Sequence, residues 1–276
     1  MSSELKDSYV FPRDHVDNIR INLQHYLWVA QFGYLTHPKI PLNGAHLKIA
    51  DVGTGTGAWL MDLGSRLPES TQLSGLDISS DALPPDEWLP PNMTFRKWNI
   101  KDDVPEDLVG QYDIVHVRNF VYVLQDDEIP RVLDSLVKLM KPGGYLQWGE
   151  VDPTSYRITK TKPGNRVEEL DRLMKLALSS NTRLTPTWVT ILGTIFQEGG
   201  LEGIECDVRE APPPHINLAV HECSLLIPEL LMRATENKEL AQRLADTMRQ
   251  ALEQTREGAA WTFTRLTVIG RKSNVV

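Results

Sequence analysis

The stretch Leu47-Lys48-Ile49-Ala50-Asp51-Val52-Gly53-Thr54-Gly55-Thr56-Gly57-Ala58 decides the fold. An apolar run, Leu47 to Val52, reads as a strand. Three glycines follow, and a helix then runs through Leu60 and Leu63. Glycines at such a turn permit positive φ and let a ligand approach the backbone. Free N–H groups at the helix start favour a negative ligand group. The next apolar run, Gln72 to Ile78, ends near Asp77, 20 residues after Gly57. A carboxylate there can accept two hydrogen bonds from a ribose diol. A tight turn with no ligand is the competing reading. Strand, turn, helix, second strand and terminal carboxylate occurring together favour a ligand site.

Outward from this unit, strands and helices alternate. Pro84, Pro85, Pro90 and Pro91 leave room for only a short helix. Further strands are expected from Met93 and from Tyr112. A helix from about Asp126 to Met140 has Ile129, Val132, Leu133, Leu136, Val137 and Met140 at helical spacing. Lys141-Pro142-Gly143-Gly144 ends it, and the fifth strand is Tyr145 to Val151. Alternation of this kind implies a mainly parallel sheet covered on both faces.

After Val151 the rhythm changes. Helices are expected over about Arg166–Leu178 and Trp188–Gln197, then a strand over Gly203–Glu210. One long helical region, about Leu218–Arg256, precedes a last strand from Ala259 to Lys272. Before the core, Asp14–Phe32 predicts an amphipathic helix with Ile19, Leu23, Tyr26, Leu27 and Ala30 on its apolar face, bounded by Pro12 and Gly33. The reading is one domain, 1–276: an N-terminal helical cap (1–45), a cofactor-binding core (46–152), and a helical lid with C-terminal strands (153–276).

Composition narrows the function. Apolar residues make up 41% and charged residues 24% of 276, an ordinary globular balance. The net charge of -8 argues against nucleic acid and against an anionic membrane surface. The N-terminal MSSELKDSYV lacks the pattern of a signal peptide, and no apolar run nears the ~20 residues of a membrane span. Cytoplasmic location is expected. Of the two cysteines, Cys206 falls in an expected strand and reads as a small buried hydrophobe. A disulfide with Cys223 is the weaker reading.

Gly53, Gly55 and Ala58 also fit the looser dinucleotide pattern. Two features oppose a nicotinamide dinucleotide. Asp51, two residues before the first glycine, suits an ammonium and would repel a pyrophosphate. The chain also ends in two strands around a helical insert, not in a second βαβαβ half.

At these residues the chain resembles the class I S-adenosylmethionine-dependent methyltransferases. Within them it is similar to the fungal secondary-metabolism branch, which includes natural-product enzymes and a methyltransferase-like regulator. YVFPRDHVDNIRINLQHYL, IADVGTGTGAW, LDIS, YDIVHVR and KPGGYLQWGEVD carry the likeness, strongest from Tyr9 to Asp152. The resemblance implies an α/β, Rossmann-like, seven-stranded and mostly parallel sheet. Its last strand would be antiparallel, with an N-terminal helix and helical lid insertions. It implies S-adenosyl-L-methionine as cofactor. Asp51 and Gly53 would hold the methionine end, while Gly55 and Gly57 leave room. Asp77 would bind the ribose, and Ile78 and Ile100 would flank the adenine. Asn99 stands where the family commonly has Asp near the adenine amine.

Methyl transfer from a sulfonium is an in-line displacement, so alignment is the protein's main contribution. His116 and Arg118, near the end of the fourth strand, are candidate catalytic residues, with His116 as base or as a hydrogen-bonded core histidine. Arg118 would pair with a substrate acid or clamp Glu150. Glu150 and Asp152 would take a proton or bind an amine; a cap or surface charge is the alternative. Gln24, His25 and Tyr26 would face substrate if the N-terminal helix closes over the cofactor. Trp28, Trp148 and Trp188 would stack on an aromatic substrate or lie in the core.

No metal is expected: the seven histidines are scattered, without H-E-x-x-H spacing. The G-x-S-x-G elbow and the N-P-P-Y motif are absent. The reading is methylation of a small molecule, probed against a non-catalytic regulator and a cofactor-retaining cyclase. No nucleic-acid or membrane partner is expected, and the helical insert is open to a homodimer.

Overall fold

In the computed structural model, which describes residues 9–274, the chain begins with α1 (His15–Phe32). Residues 1–8 of the acidic start lie outside the described residues. The Asp14 carboxylate accepts from the Val16 and Asp17 N–H groups at 3.0 and 3.1 Å and caps α1. Gly33, at φ 81°, ends it in the left-handed conformation.

β1 (Lys48–Val52), α2 (Ala58–Gly64), β2 (Gln72–Asp77), β3 (Met93–Lys97), β4 (Tyr112–Arg118), α3 (Ile129–Leu139) and β5 (Met140–Val151) follow in the expected order. The proline-rich connection holds one short turn of helix, Asp86–Trp88. β5 begins earlier than expected, at Met140, because the strand runs on through the Lys141–Gly144 turn. The second half comprises β6 (Arg157–Lys160), α4 (Glu168–Ser180), α5 (Leu192–Glu198), β7 (Leu201–Arg209), α6 (Asn217–Ala234), α7 (Lys238–Glu257), β8 (Ala259–Thr262) and β9 (Arg265–Lys272).

The main sheet has seven strands in the order β3-β2-β1-β4-β5-β9-β7. β1 to β5 pair in parallel, and β9, the chain's last strand, runs antiparallel to both β5 and β7. Alternation along the strands parts the core in two. Ala50, Val52, Val115, Val117, Leu146 and Trp148 pack with α3 and the later helices. Ile49, Ile114 and Ile269 pack with Leu60 and Leu63 of α2. Both faces are thus covered, as a parallel sheet requires. α3 buries Ile129, Val132, Leu133, Leu136 and Leu139, each worth roughly 1.5–3 kcal/mol of removed apolar surface.

Four expectations need correction. The long helical region is two helices, because Asn237 caps a new start by accepting from the Leu240 N–H at 3.0 Å. The last strand is also two. It breaks at Phe263-Thr264, and β8 pairs with the unforeseen β6 in a separate two-stranded sheet. Cys206 is exposed, on the outermost strand of the main sheet, whereas Cys223 is buried; both are free.

The largest correction concerns α1. Most of its expected apolar face is turned outward, with Ile19 58% and Tyr26 63% exposed, while Leu27 is half-buried on the inner side. The buried side carries Asp17, Arg20, His25, Trp28, Gln31 and Phe32. This helix lies across a crevice above the sheet, and its inner face mixes Trp28 and Phe32 with charged and polar side chains. Each buried charge there needs a partner. Arg20 donates to Asp17 and Gln24 at 2.8 Å and to the Tyr9 hydroxyl at 2.9 Å.

Candidate functional site

β1 and β4 lie side by side at the middle of the sheet, where the strand order reverses. Ligands of open α/β sheets bind at such a switch point, beyond the strands' carboxyl ends. A cavity of about 480 Å³ opens there, within the range of small-molecule sites.

The glycine loop forms one wall. Gly53, Gly55 and Gly57 have φ of 68°, 54° and 73°, all left-handed. A side chain at Gly53 would put its Cβ 2.4 Å from Phe120 Cε2. At Gly55 the nearest atom would be Ile21, 3.8 Å away, so that position opens into the cavity. The loop is tied back by Gly53 N–H to the Leu76 carbonyl at 2.7 Å and by Gly57 N–H to the Thr54 carbonyl at 2.9 Å.

Two buried carboxylates bracket the loop. Asp51 accepts from Thr54 Oγ1 at 2.9 Å and from His116 Nδ1 at 2.7 Å. Asp77 accepts from the Gly55 N–H at 2.9 Å and the Ser79 N–H at 3.2 Å. Burial raises the Asp77 carboxyl above its ordinary range, and these N–H groups pull it back. A carboxylate offers about four lone-pair sites, so beside the Gly55, Ser79 and Ile78 N–H groups capacity for a further donor remains. Ile78, Asn99 and Ile100 line the cavity, and Asn99 Oδ1 accepts from the Lys101 N–H at 3.1 Å.

His116 lines the same cavity. It stands opposite Asp51 across the β1–β4 pairing, and Trp59 stacks on its ring at 3.8 Å, nearly parallel. Burial holds its pKa below the usual value, against the pull of Asp51. Arg118 Nη2 lies 3.2 Å from His25 Nδ1, and His25 Nε2 lies 3.1 Å from Asp62 Oδ2. A guanidinium can only donate, so Nδ1 of His25 accepts and its proton sits on Nε2. This relay ties β4, α1 and α2 together. Burial, with the nearby Arg118 charge, lowers His25 to about 4. Burial also lowers Arg118 to about 10, against the attraction of Asp51 and Glu150.

Glu150 is fully buried and is not among the residues lining the cavity. Its carboxyl accepts from the Phe120 N–H at 2.7 Å, the Val121 N–H at 3.2 Å and Trp148 Nε1 at 2.6 Å. Burial pushes it up to about 8, against these donors. Its contacts are those of a brace for the turn after β4. Arg118 acts on it through charge, and Arg118's hydrogen bond goes to His25. Asp152 caps the turn Pro153–Ser155, accepting from the Thr154 N–H at 2.9 Å.

Gln24 and His25 reach the cavity; Tyr26 does not, since its side of α1 faces outward. Trp148 and Trp188 pack on each other at 5.4 Å inside the core, and Trp28 stacks on Phe32 at 4.8 Å. The cavity also takes Arg13, Arg20, Trp59 and Glu128, which sequence reasoning missed. Only Arg20 left a readable signal: Asp17 and Gln24 sit three residues before and four after it, the spacing of one helix face.

A methyltransferase-domain family model matches residues 50–146 of the chain. Methyltransferase grgD of Penicillium sp is 36% identical over 175 residues, 60% of this chain and 59% of that protein. N-methyltransferase gliN of Aspergillus fumigatus is 32% identical over 210 residues, 75% of this chain and 72% of that protein. The matches to several other curated relatives span about half of those proteins' length. Among solved structures, phosphoethanolamine N-methyltransferase 2 of Haemonchus contortus, in complex with S-adenosyl-L-methionine, aligns with a TM-score of 0.52. It is 13% identical, over 92% of this chain and 57% of that one, a likeness of fold. With a glycine loop at the switch point and a relative matched over most of its length, the chain belongs to the class I S-adenosylmethionine-dependent methyltransferases, alongside those of fungal secondary metabolism.

Proposed function

We propose that this chain transfers a methyl group from S-adenosylmethionine to a nitrogen, oxygen or sulfur of a small natural product. The observation that carries the reading is the pair of buried carboxylates, Asp51 and Asp77, on either side of one glycine loop in one cavity. Asp51 suits an ammonium, and Asp77 suits a ribose diol. Ile78 and Ile100 offer an apolar slot for a purine, with the Asn99 amide beside it. The open space at Gly55 lets a ligand lie against the loop.

When bound, the cofactor supplies a sulfonium that already activates its methyl group. The chain's own residues align and shield. α1 covers the cavity with Ile21, Gln24 and His25, which keeps water from the reacting centre. Asp51 is oriented by His116 and Thr54. Because His116 donates through Nδ1, its Nε2 lone pair is the site at which it would take a proton. An amine arriving neutral needs no such base. A nitrogen acceptor is favoured because gliN, a relative matched over 72% of its length, is named an N-methyltransferase.

The test is turnover. The chain is incubated with S-adenosylmethionine and a panel of small amines, amides, phenols and thiols. A mass gain of one methylene on any of them, with matching release of S-adenosylhomocysteine, supports the reading. Cofactor binding without transfer to any class would contradict it.

A further inference from the structure

Beside the main cavity lies a smaller, largely apolar chamber of about 50 Å³. Arg20, Gln24 and Tyr122 are walls of both. Met174 of α4, Val220 of α6 and the ring of Phe263 supply much of its apolar lining.

Among the polar side chains in that lining, two have buried polar atoms that lack hydrogen-bond partners among the described residues. Arg265 opens β9, opposite Val151 at the carboxyl end of β5. Its side chain lines the chamber and is only 7% exposed. Its Nη1 has no hydrogen-bond partner among the described residues, and the titratable groups acting on it are Tyr122 and Cys223, neither a carboxylate. Gln31, on the inner face of α1, is 6% exposed, and both ends of its amide lack partners among the described residues. The contrast with Arg20 is instructive, because that guanidinium is matched by Asp17, Tyr9 and Gln24. Burying a cation beside no anion is costly. A charge kept so, at the wall of a chamber that adjoins a catalytic cavity, is matched to an anion that arrives from outside.

We propose that this chamber receives one arm of the methyl acceptor, an apolar group ending in a carboxylate or comparable anionic oxygen. Arg265 pairs with that oxygen and the Gln31 amide hydrogen-bonds it. The assignment rests on the cofactor reading of the neighbouring cavity. It makes Arg265 a specificity residue: the acceptor is gripped by its acid end, and its reacting atom is left towards the larger space.

The test is calorimetric, with phenylpropionate and phenylpropionamide as probes and the full chain as wild type, Arg265→Met and Arg265→Lys. S-adenosylmethionine is titrated into each in parallel. The wild type is expected to bind the acid at least about tenfold more tightly than the amide, from one charge-assisted hydrogen bond. Arg265→Met is expected to lose that preference while its S-adenosylmethionine affinity stays unchanged. If Arg265→Met fails to fold, Arg265→Lys carries the test, with a reduced preference expected because it lacks the planar fork. Equal binding of acid and amide, binding of neither, or a preference that survives substitution overturns the proposal. A wild-type chain that binds S-adenosylmethionine yet ignores the acid sinks the chamber alone; one that ignores S-adenosylmethionine sinks the cofactor reading.

Discussion

Asp51 and His116 stand directly opposite each other on adjacent central strands, joined by a 2.7 Å hydrogen bond from the imidazole to the carboxylate. The register of two strands therefore sets the direction of the acid at the loop. His116→Gln should leave Asp51 with Thr54 as its remaining partner and weaken S-adenosylmethionine binding about tenfold, the effect of one hydrogen bond to a charged group. Calorimetry checks this. An unchanged affinity would show that the imidazole does not orient the acid.

Glu150 is expected to matter for stability. Removing its carboxyl strands the Phe120 and Val121 N–H groups and Trp148 Nε1 without acceptors. Glu150→Ala should cost about 3 kcal/mol or more in urea unfolding. Glu150→Gln should cost less, since its amide oxygen still serves some of the donors. Normal stability in Glu150→Ala, with activity lost, would instead mark a direct part in the reaction.

The loop glycines should differ in a defined way. Gly53→Ala meets both a left-handed φ and the Phe120 ring at 2.4 Å, whereas Gly55→Ala meets only the backbone strain. The latter should cost about 1–2 kcal/mol and the former clearly more. Thermal melts of the two variants decide it; equal losses would contradict the packing at Phe120.

Two histidines give the fold an acid limit. His25 Nδ1 accepts from Arg118, and His221 Nδ1 accepts from the Trp261 N–H at 3.0 Å, so both must stay unprotonated there. Burial lowers each to about 4, from the ordinary imidazole value of 6.5. Between these values the unfolded chain binds more protons than the folded one, so stability rises with pH. The contribution is complete above about pH 6.5 and is lost as pH falls towards 4, at about 1.4 kcal/mol per unit and group. The cost of His25→Gln should therefore shrink between pH 7.5 and about pH 5. A cost independent of pH would contradict the neutral tautomer.

Much of this is legible in the sequence alone. The Asp51–Gly57 turn and the alternation around it carried the order of the first five strands, because period and turn chemistry are local signals. The orientation of α1 was not legible. Ile19, Leu23 and Tyr26 have helical spacing, but this helix buries Arg20, His25 and Gln31 over a crevice instead. The deciding partners, such as Arg118 and Asp62, lie far along the chain. The same limit hid the β6–β8 pair and the Arg265 guanidinium, set over the Phe263 ring with no carboxylate beside it, which only tertiary packing creates.

The most direct measurement is calorimetric titration of wild type and Asp77→Ala with S-adenosylmethionine, and of wild type with NAD. Micromolar-range binding of S-adenosylmethionine to the wild type is expected, weakened at least about tenfold by the loss of the ribose acceptor, with no binding of NAD. Equal affinity in Asp77→Ala, or a wild type that takes NAD instead, would contradict the assignment of the loop and its two carboxylates.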